Sequence, residues 1–328
     1  MKQAIVQILL VLAVAGATAA SAQAISKEPA YPTKPIRFVV PLVPGGGADI
    51  VARTIAKQLR EGWKQHVIVD NRPGATGIIG TQLTAKAAPD GYTILMGNTA
   101  THAVNVSMFE KLPYHPIRDF TCITLAARLP EMLVVHPSLP VNSAGELIAL
   151  ANAKPGQLTF GSAGVGALSH LTGVQFMQLG GIDLVHVPYK GSAPALSDLM
   201  GGQIGMYFGN FLTALPIVRA GKLKALGMTG HKRSLAAPDI PTIAEAGLPG
   251  FEAYNWYVVA VPAATPKEIV AALNTNFAAA LKNKEVADML TNDGAEIVAS
   301  PPNECTRFID AQIKKYAKVI ADGKLRVE

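Results

Sequence analysis

A chain of 328 residues in which 49% are hydrophobic and only 16% charged is too apolar to stay disordered and too long for one core, so two lobes are expected. The formal charge of +6 is spread along the chain without a basic run, and no zinc-finger or helix-turn-helix spacing occurs, which leaves no case for nucleic-acid binding. Two cysteines, Cys122 and Cys305, are too few for a disulfide framework and form no C-x-x-C, so whether they bridge stays open.

Met1-Lys2-Gln3 is a short basic start, residues 4–19 are almost wholly small and apolar, and Ser21-Ala22-Gln23-Ala24 carries an A-x-A cleavage pattern. A signal peptide over residues 1–24 is expected, cleaved after about Ala24, with a soluble periplasmic product. No later stretch reads as a membrane span.

Strand, loop and helix then alternate. A strand is expected over residues 35–40, a helix over 49–62, a strand over 67–70, a helix over 78–87 and a strand over 92–96. The alternation predicts a mainly parallel α/β sheet covered by helices, with ligands beyond the carboxyl ends of its strands. Residues 121–127 and 131–136 read as two further strands, and residues 143–153 as a helix. The pattern resumes with strands at 158–160, 184–188, 204–208 and 223–229 and helices at 196–201 and 212–220. Prolines at 238, 241 and 249 suit a linker. A return strand at 256–261, a helix from Pro266 through Leu281 and a helix over 302–316 complete the chain. The terminal helices are expected to pack back on the first lobe, giving lobe 1 as residues 25–133 and 255–328 and lobe 2 as residues 134–254.

Four loops carry candidate ligand contacts. In Pro41-Leu42-Val43-Pro44-Gly45-Gly46-Gly47-Ala48-Asp49 an apolar strand breaks into bare backbone before a helix, where unpaired N–H groups and the positive end of the dipole suit a carboxylate or phosphate. Leu42, Val43, Gly45, Gly46, Gly47 and Asp49 are its candidates. Asp49 reads as an N-cap or first-turn acid, with a ligand amine or hydroxyl as a second partner. The loop of residues 161–170 offers the hydroxyls of Ser162 and Ser169 and the backbone of Gly164, Val165 and Gly166 beside His170. Asn98 and Thr101 follow a strand and supply neutral donors, with Thr101 favoured over His102. Tyr189, Lys190, Gly191 and Ala193 form a turn entering a helix, where Lys190 would add positive charge. Asn71 and Arg72 resemble an anion site by composition, with a salt bridge an equal reading for Arg72.

Catalysis finds little support. The seven histidines are separated in sequence and show neither H-E-x-x-H nor compact metal-ligand spacing, and Gly161-Ser162-Ala163-Gly164 lacks the G-x-S-x-G elbow. No metal or cofactor is expected.

The opening loop, Gly161-Ser162-Ala163-Gly164-Val165-Gly166 and Tyr189-Lys190-Gly191-Ser192-Ala193-Pro194-Ala195 together resemble the tripartite tricarboxylate transporter substrate-binding family, also called the Bug family. The likeness continues through Gly221-Lys222-Leu223-Lys224-Ala225-Leu226, Pro238-Asp239-Ile240-Pro241-Thr242 and residues 256–266. It implies a type II periplasmic-binding-protein fold, two lobes closing on a ligand cleft, and a monomer that captures a small organic carboxylate for a membrane permease. The ligand would be a dicarboxylate, hydroxyacid or aromatic acid. Many relatives carry a larger aromatic residue where Leu42 stands, so aromatic stacking there is not expected. Trp256 either lines the cleft or packs the interlobe crossing. The alternatives are an amino-acid receptor with Asp49 meeting the ligand amine, a ligand-responsive sensor subunit and, least favoured, a secreted hydrolase.

Overall fold

The computed structural model describes residues 31–292, 294–323 and 325, and the expected signal peptide lies outside them. All the elements below belong to one unit, Lys34–Glu328. Strand β1 (Ile36–Val40) lies parallel between β2 (Val67–Asn71) and β3 (Thr93–Asn98), and its run IRFVV is nearly continuous in apolar residues because both faces are covered. Helix α1 (Gly47–Trp63) leads from β1 to β2, and α2 (Ile78–Ala85) from β2 to β3. After β3 a π-turn at Ala100–Val104 runs into the short helix α3 (Asn105–Met108).

The centre of the molecule is β4 (Phe120–Val135), a single strand where the sequence predicts two. Pro130 is the point of change. Residues up to Pro130 pair antiparallel with β9 (Tyr254–Pro262), and from Glu131 onward β4 pairs with β7 (Met206–Asn210). A proline contributes no ladder N–H, which suits a position where the partner strand is exchanged. One strand thus threads both lobes of a bilobed α/β fold.

In the second half, α4 (Ala144–Ala153) precedes β5 (Thr159–Ser162), and α5 (Leu168–Gly180) precedes β6 (Val185–Pro188). Ser143 caps α4 by accepting the Glu146 N–H at 3.1 Å, while Glu146 accepts the Asn142 N–H at 2.7 Å, a reciprocal cap spelled out by Asn142-Ser143-Ala144-Gly145-Glu146. Helix α6 (Ser192–Met200) leads to β7, and α7 (Phe211–Arg219), capped by Asn210, leads to β8 (Lys224–Met228). The chain crosses back to β9 and ends in α8 (Lys267–Lys282), α9 (Lys284–Asn292), the two-residue β10 (Glu296–Ile297) and α10 (Pro302–Asp322).

The sheet is mixed rather than mainly parallel. Parallel pairs hold each flank (β1 with β2 and β3, β5 with β6 and β7), but β9 runs antiparallel to β3 and β4, and β4 antiparallel to β7, β8 and β10. Local periodicity identifies strands without their direction, and the antiparallel pairs come from the two crossings. Helix α9 was not foreseen, and α10 runs on past residue 316.

Trp256 resolves as core: it is 1% exposed and meets Phe308 of α10 edge-on at 5.2 Å. Leu171 and Val174 of α5 join Trp256, Ala103 and Tyr316 in one buried cluster, so the second-half helix nearest the crossing is anchored against first-half elements. Cys122 of β4 and Cys305 of α10 form a disulfide with Cα atoms 6.1 Å apart, closing the question that spacing left open.

Candidate functional site

The loop between β1 and α1 is held from behind. Asp49 is the third residue of α1, not its N-cap; the cap is Gly46, which offers no side chain. The Asp49 carboxylate is 3% exposed and turned back into its own loop. Its Oδ2 accepts the Gly45 N–H and Arg53 Nε, each at 2.9 Å, and its Oδ1 accepts Asn71 Nδ2 at 3.0 Å. Asn71 Nδ2 also donates to the Leu42 carbonyl at 3.1 Å, and its Oδ1 accepts Arg53 at 3.0 Å. Burial alone would raise the Asp49 pKa, but the donors Arg53, Gly45 and Asn71 outweigh it and hold the acid below the ordinary carboxylate range. Asn71, taken by composition for an anion contact, is therefore a strut of the loop, and Arg72 pairs with Asp70 at 2.9 Å.

With its acid turned inward, the loop presents backbone. The first helical bond is Ile50 N–H to Gly46 O, so the N–H groups of Gly47, Ala48 and Asp49 precede any intrahelical acceptor. Gly47 must be glycine for space: a Cβ there would fall 2.6 Å from the Tyr257 hydroxyl. Val43 stands at the tip, 62% exposed.

The loop of residues 161–170 has the same construction. Ser162 is fully buried; its Oγ bonds His186 Nε2 at 2.7 Å and accepts the Gly164 N–H at 3.2 Å. Ser169 Oγ accepts the Ala163 N–H at 3.0 Å, and His170 Nδ1 accepts the Gly166 N–H at 3.1 Å. The hydroxyls expected to touch ligand thus shape the loop, which leaves Val165 at its tip, 55% exposed, ahead of α5. Gly164 has φ +138°, a conformation that other residues rarely adopt. A Cβ on Gly166 would lie 3.0 Å from Met108 of α3, so this loop reaches first-half elements.

His186 is a residue that sequence reasoning missed, and the separation of the histidines along the chain is not kept in space. His170 and His186 stack with ring centroids 3.8 Å apart because β5 and β6 are adjacent parallel strands and α5 starts beside them. Burial pushes His170 down to about 4, with His186 adding to the effect, and burial lowers His186 as well. The Ser162–His186 contact has the outline of a nucleophile and base, but Ser162 has no exposed surface and its hydroxyl also bonds Gly164 O at 3.1 Å.

The other two loops are likewise turned away from the role expected of their side chains. Thr101 is fully buried: its N–H donates to Asn98 Oδ1 at 2.9 Å, its Oγ1 bonds His102 Nδ1 at 2.9 Å, and its carbonyl accepts Tyr114 OH at 2.8 Å. Tyr189 donates its hydroxyl to Asp198 of α6 at 2.8 Å. The backbone of that turn does join the site, since Tyr189 N–H donates to Ser162 O at 3.0 Å and Gly191 N–H to Ala163 O at 3.1 Å. Lys190 and Ala193 are exposed beside it. The first loop rests on β9 through Gly47 and Tyr257, and there Asn255 Nδ2 donates to Tyr257 OH at 3.0 Å and Asn255 Oδ1 accepts Thr99 Oγ1 at 3.2 Å. Alternation along β9 places these on the face opposite Trp256, a signal readable only once the strand's inward face is known.

Residues 51–325 match the family model described as the tripartite tricarboxylate transporter family receptor. Protein BugT of Bordetella pertussis is 36% identical over 317 residues, 96% of this chain and 97% of that protein. The solved structure of R. palustris Rpa4515 with adipate is similar at a TM-score of 0.80 and 37% identity, covering 90% of this chain and all of that one. MatC from Rhodopseudomonas palustris with bound malate is similar at a TM-score of 0.75 and 32% identity, covering 88% of this chain and 100% of that one.

Proposed function

This chain belongs to the tripartite tricarboxylate transporter receptor family, and from that premise we propose that residues 43–49 and 162–169 are the two jaws of a carboxylate clamp. It is a periplasmic solute-binding receptor for a small organic carboxylate, which it delivers to a tripartite tricarboxylate-type permease, and the family is one of receptors rather than enzymes. The adipate and malate held by two relatives mark the chemical range from which its ligand is drawn.

The observation that carries the clamp is the shared build of the two loops. Each precedes a helix, α1 or α5, and each has polar side chains that bond its own backbone, Gly45 in the first loop and Ala163, Gly164 and Gly166 in the second; the N–H groups left to an anion are those at the helix starts, of Gly47, Ala48 and Asp49 and of Leu168 and Ser169. A carboxylate at a helix start gains about 0.3–1 kcal/mol from the dipole, more when water is excluded. Closure around the ligand would exchange water for these fixed donors and change the surface that a permease meets. The inward commitment of Asp49 weighs against the amino-acid reading, because its oxygens already have three donors.

On this reading lobe 1 comprises residues 25–133 and 255–328 and lobe 2 residues 134–254; the partner exchange at Pro130 and Glu131 supports a boundary there. The receptor works as a monomer without a nucleic-acid partner, after cleavage near Ala24. Mass spectrometry of ligand carried through purification, followed by calorimetry against dicarboxylates, hydroxyacids and aromatic acids, tests the clamp. Saturable binding of an acid that is lost on Gly46→Trp, with the fold retained, is expected. A folded Gly46→Trp protein with wild-type affinity would refute it.

A further inference from the structure

Strand direction fixes which strand ends face each other. Strands β1, β2 and β3 run in the direction of β4, toward its partner exchange at Pro130 and Glu131. Strands β5, β6 and β7 run against β4, and so approach the same exchange from the other side. The carboxyl ends of the two sets therefore point at each other, and ligands of open α/β sheets lie beyond such ends.

Few charges stand there. In the segments that directly follow these strands, up to the first turn of the next helix, Asp49 is paired with Arg53 at 2.9 Å and Arg72 with Asp70 at 2.9 Å, while burial holds His102 and His170 neutral. Lys190 differs from all of them. It lies two residues beyond β6, between Tyr189, whose N–H donates to Ser162 O at 3.0 Å, and Gly191, whose N–H donates to Ala163 O at 3.1 Å. Both acceptors belong to the second jaw, so the backbone of Lys190 is fixed beside it. The jaw also packs on this turn, since a Cβ on Gly164 would stand 3.4 Å from Tyr189 O. Tyr189 is turned away and spends its hydroxyl on Asp198 of α6 at 2.8 Å, which also engages that acid. Lys190 is exposed, and among the described residues no ion pair or hydrogen bond engages its ammonium group. An ammonium group on a flexible four-carbon stem has three donors and can meet a carboxylate at more than one distance.

We propose that Lys190 is a specificity-determining residue: its ammonium group pairs with a second carboxylate of the ligand while backbone N–H groups of the jaws hold the first. The chain thereby selects a dicarboxylate over a monoacid of the same length. This rests on the carboxylate-clamp reading above and names the ligand class within it.

Calorimetry with adipate against hexanoate and succinate against butyrate tests it on wild type, Lys190→Met, Lys190→Arg and Lys222→Met. Met keeps an unbranched stem without the charge, and Arg keeps the charge. Lys222 is exposed just before β8, whose first residue pairs with Val135, so it lies at the end of the second-half sheet remote from the exchange and controls for loss of one positive charge at a distance. Wild type should prefer the diacid in at least one pair by about tenfold or more, the margin of one charge-assisted hydrogen bond. Lys190→Met should lower that ratio by about tenfold, Lys190→Arg should keep most of it, and Lys222→Met should leave it unchanged. In wild type the ratio should also fall between about 20 mM and about 300 mM salt, because an exposed lysine pairs through a screened interaction, and this readout needs no variant. A ratio that survives in Lys190→Met, an equal fall in Lys222→Met, a ratio independent of salt or a wild type indifferent between diacid and monoacid would overturn the inference and leave the clamp standing. Failure of wild type to bind any of the four acids, or any acid of the wider panel, would remove the clamp and this inference together.

Discussion

Gly47→Ala tests whether the first jaw is set by close contact with β9. The added Cβ would lie 2.6 Å from the Tyr257 hydroxyl but 3.6 Å from its Cζ, so the whole conflict is with one oxygen atom. Tyr257 cannot retreat: it is 1% exposed and its strand is paired on both sides, with Asn98 opposite in β3 and Ala127 opposite in β4. Overpacking of this kind costs about 1–3 kcal/mol. For a protein of this size that lowers Tm by about 2–4 °C per kcal/mol, and the displaced α1 start should weaken acid binding as well. Tyr257→Phe removes the oxygen and leaves an ordinary contact, at the loss of the 3.0 Å bond from Asn255 Nδ2, about 0.5–1.5 kcal/mol. The double variant should therefore be more stable than the two single losses predict, with a coupling of about 1 kcal/mol or more. Differential scanning calorimetry gives the stabilities and titration calorimetry the affinities of all four proteins. Gly46→Ala is the control, since Gly46 has φ −80° and its Cβ would meet only Val43 O at 3.7 Å. Additive losses in the double variant, or a control as damaged as Gly47→Ala, would refute the reasoning.

Ser162→Ala should weaken acid binding by about tenfold, because it leaves the Gly164 N–H and His186 Nε2 without their shared partner; calorimetry of the folded variant checks this. The His170 and His186 stack should make the fold sensitive to acid: both are held neutral, so the unfolded chain binds more protons, and their contribution is complete above about pH 6.5 and lost as pH falls toward about 4. Unfolding curves across that window should be steeper in wild type than in His186→Gln, and parallel curves would count against it. Replacing Cys305 with serine opens a loop of 183 residues and should cost up to about 5 kcal/mol by chain entropy, measured by denaturant unfolding of oxidised wild type and variant. Trp256→Phe should lower stability by about 1–3 kcal/mol while leaving the affinity of the folded protein near wild type, because the indole faces Phe308 and not the cleft.

Much of this arrangement was legible in local pattern. The β1 run, the glycine turn and the amphipathic start of α1 are adjacent in sequence, and a strand that ends at a helix N-terminus has bare N–H groups wherever it lies in a fold. The same holds for residues 161–170 before α5, and the ordered set of motifs was enough to identify the family. Side-chain direction was not legible in this way. Asp49, Ser162, Ser169 and Thr101 are polar residues at the right loops, but each has a hydrogen-bond partner a few residues away or across a strand, and competition between that partner and a ligand is decided by three-dimensional geometry. His186 carried no signal at all, because it enters through the parallel pairing of β5 with β6. The sequence by itself determined which backbone segments would be bare, since that depends on glycine, proline and helix starts within about ten residues. Only the tertiary structure decided which side chains stand behind those segments and which face the cleft, because both depend on strand register and on the two crossings that join residues from 71 to 142 positions apart.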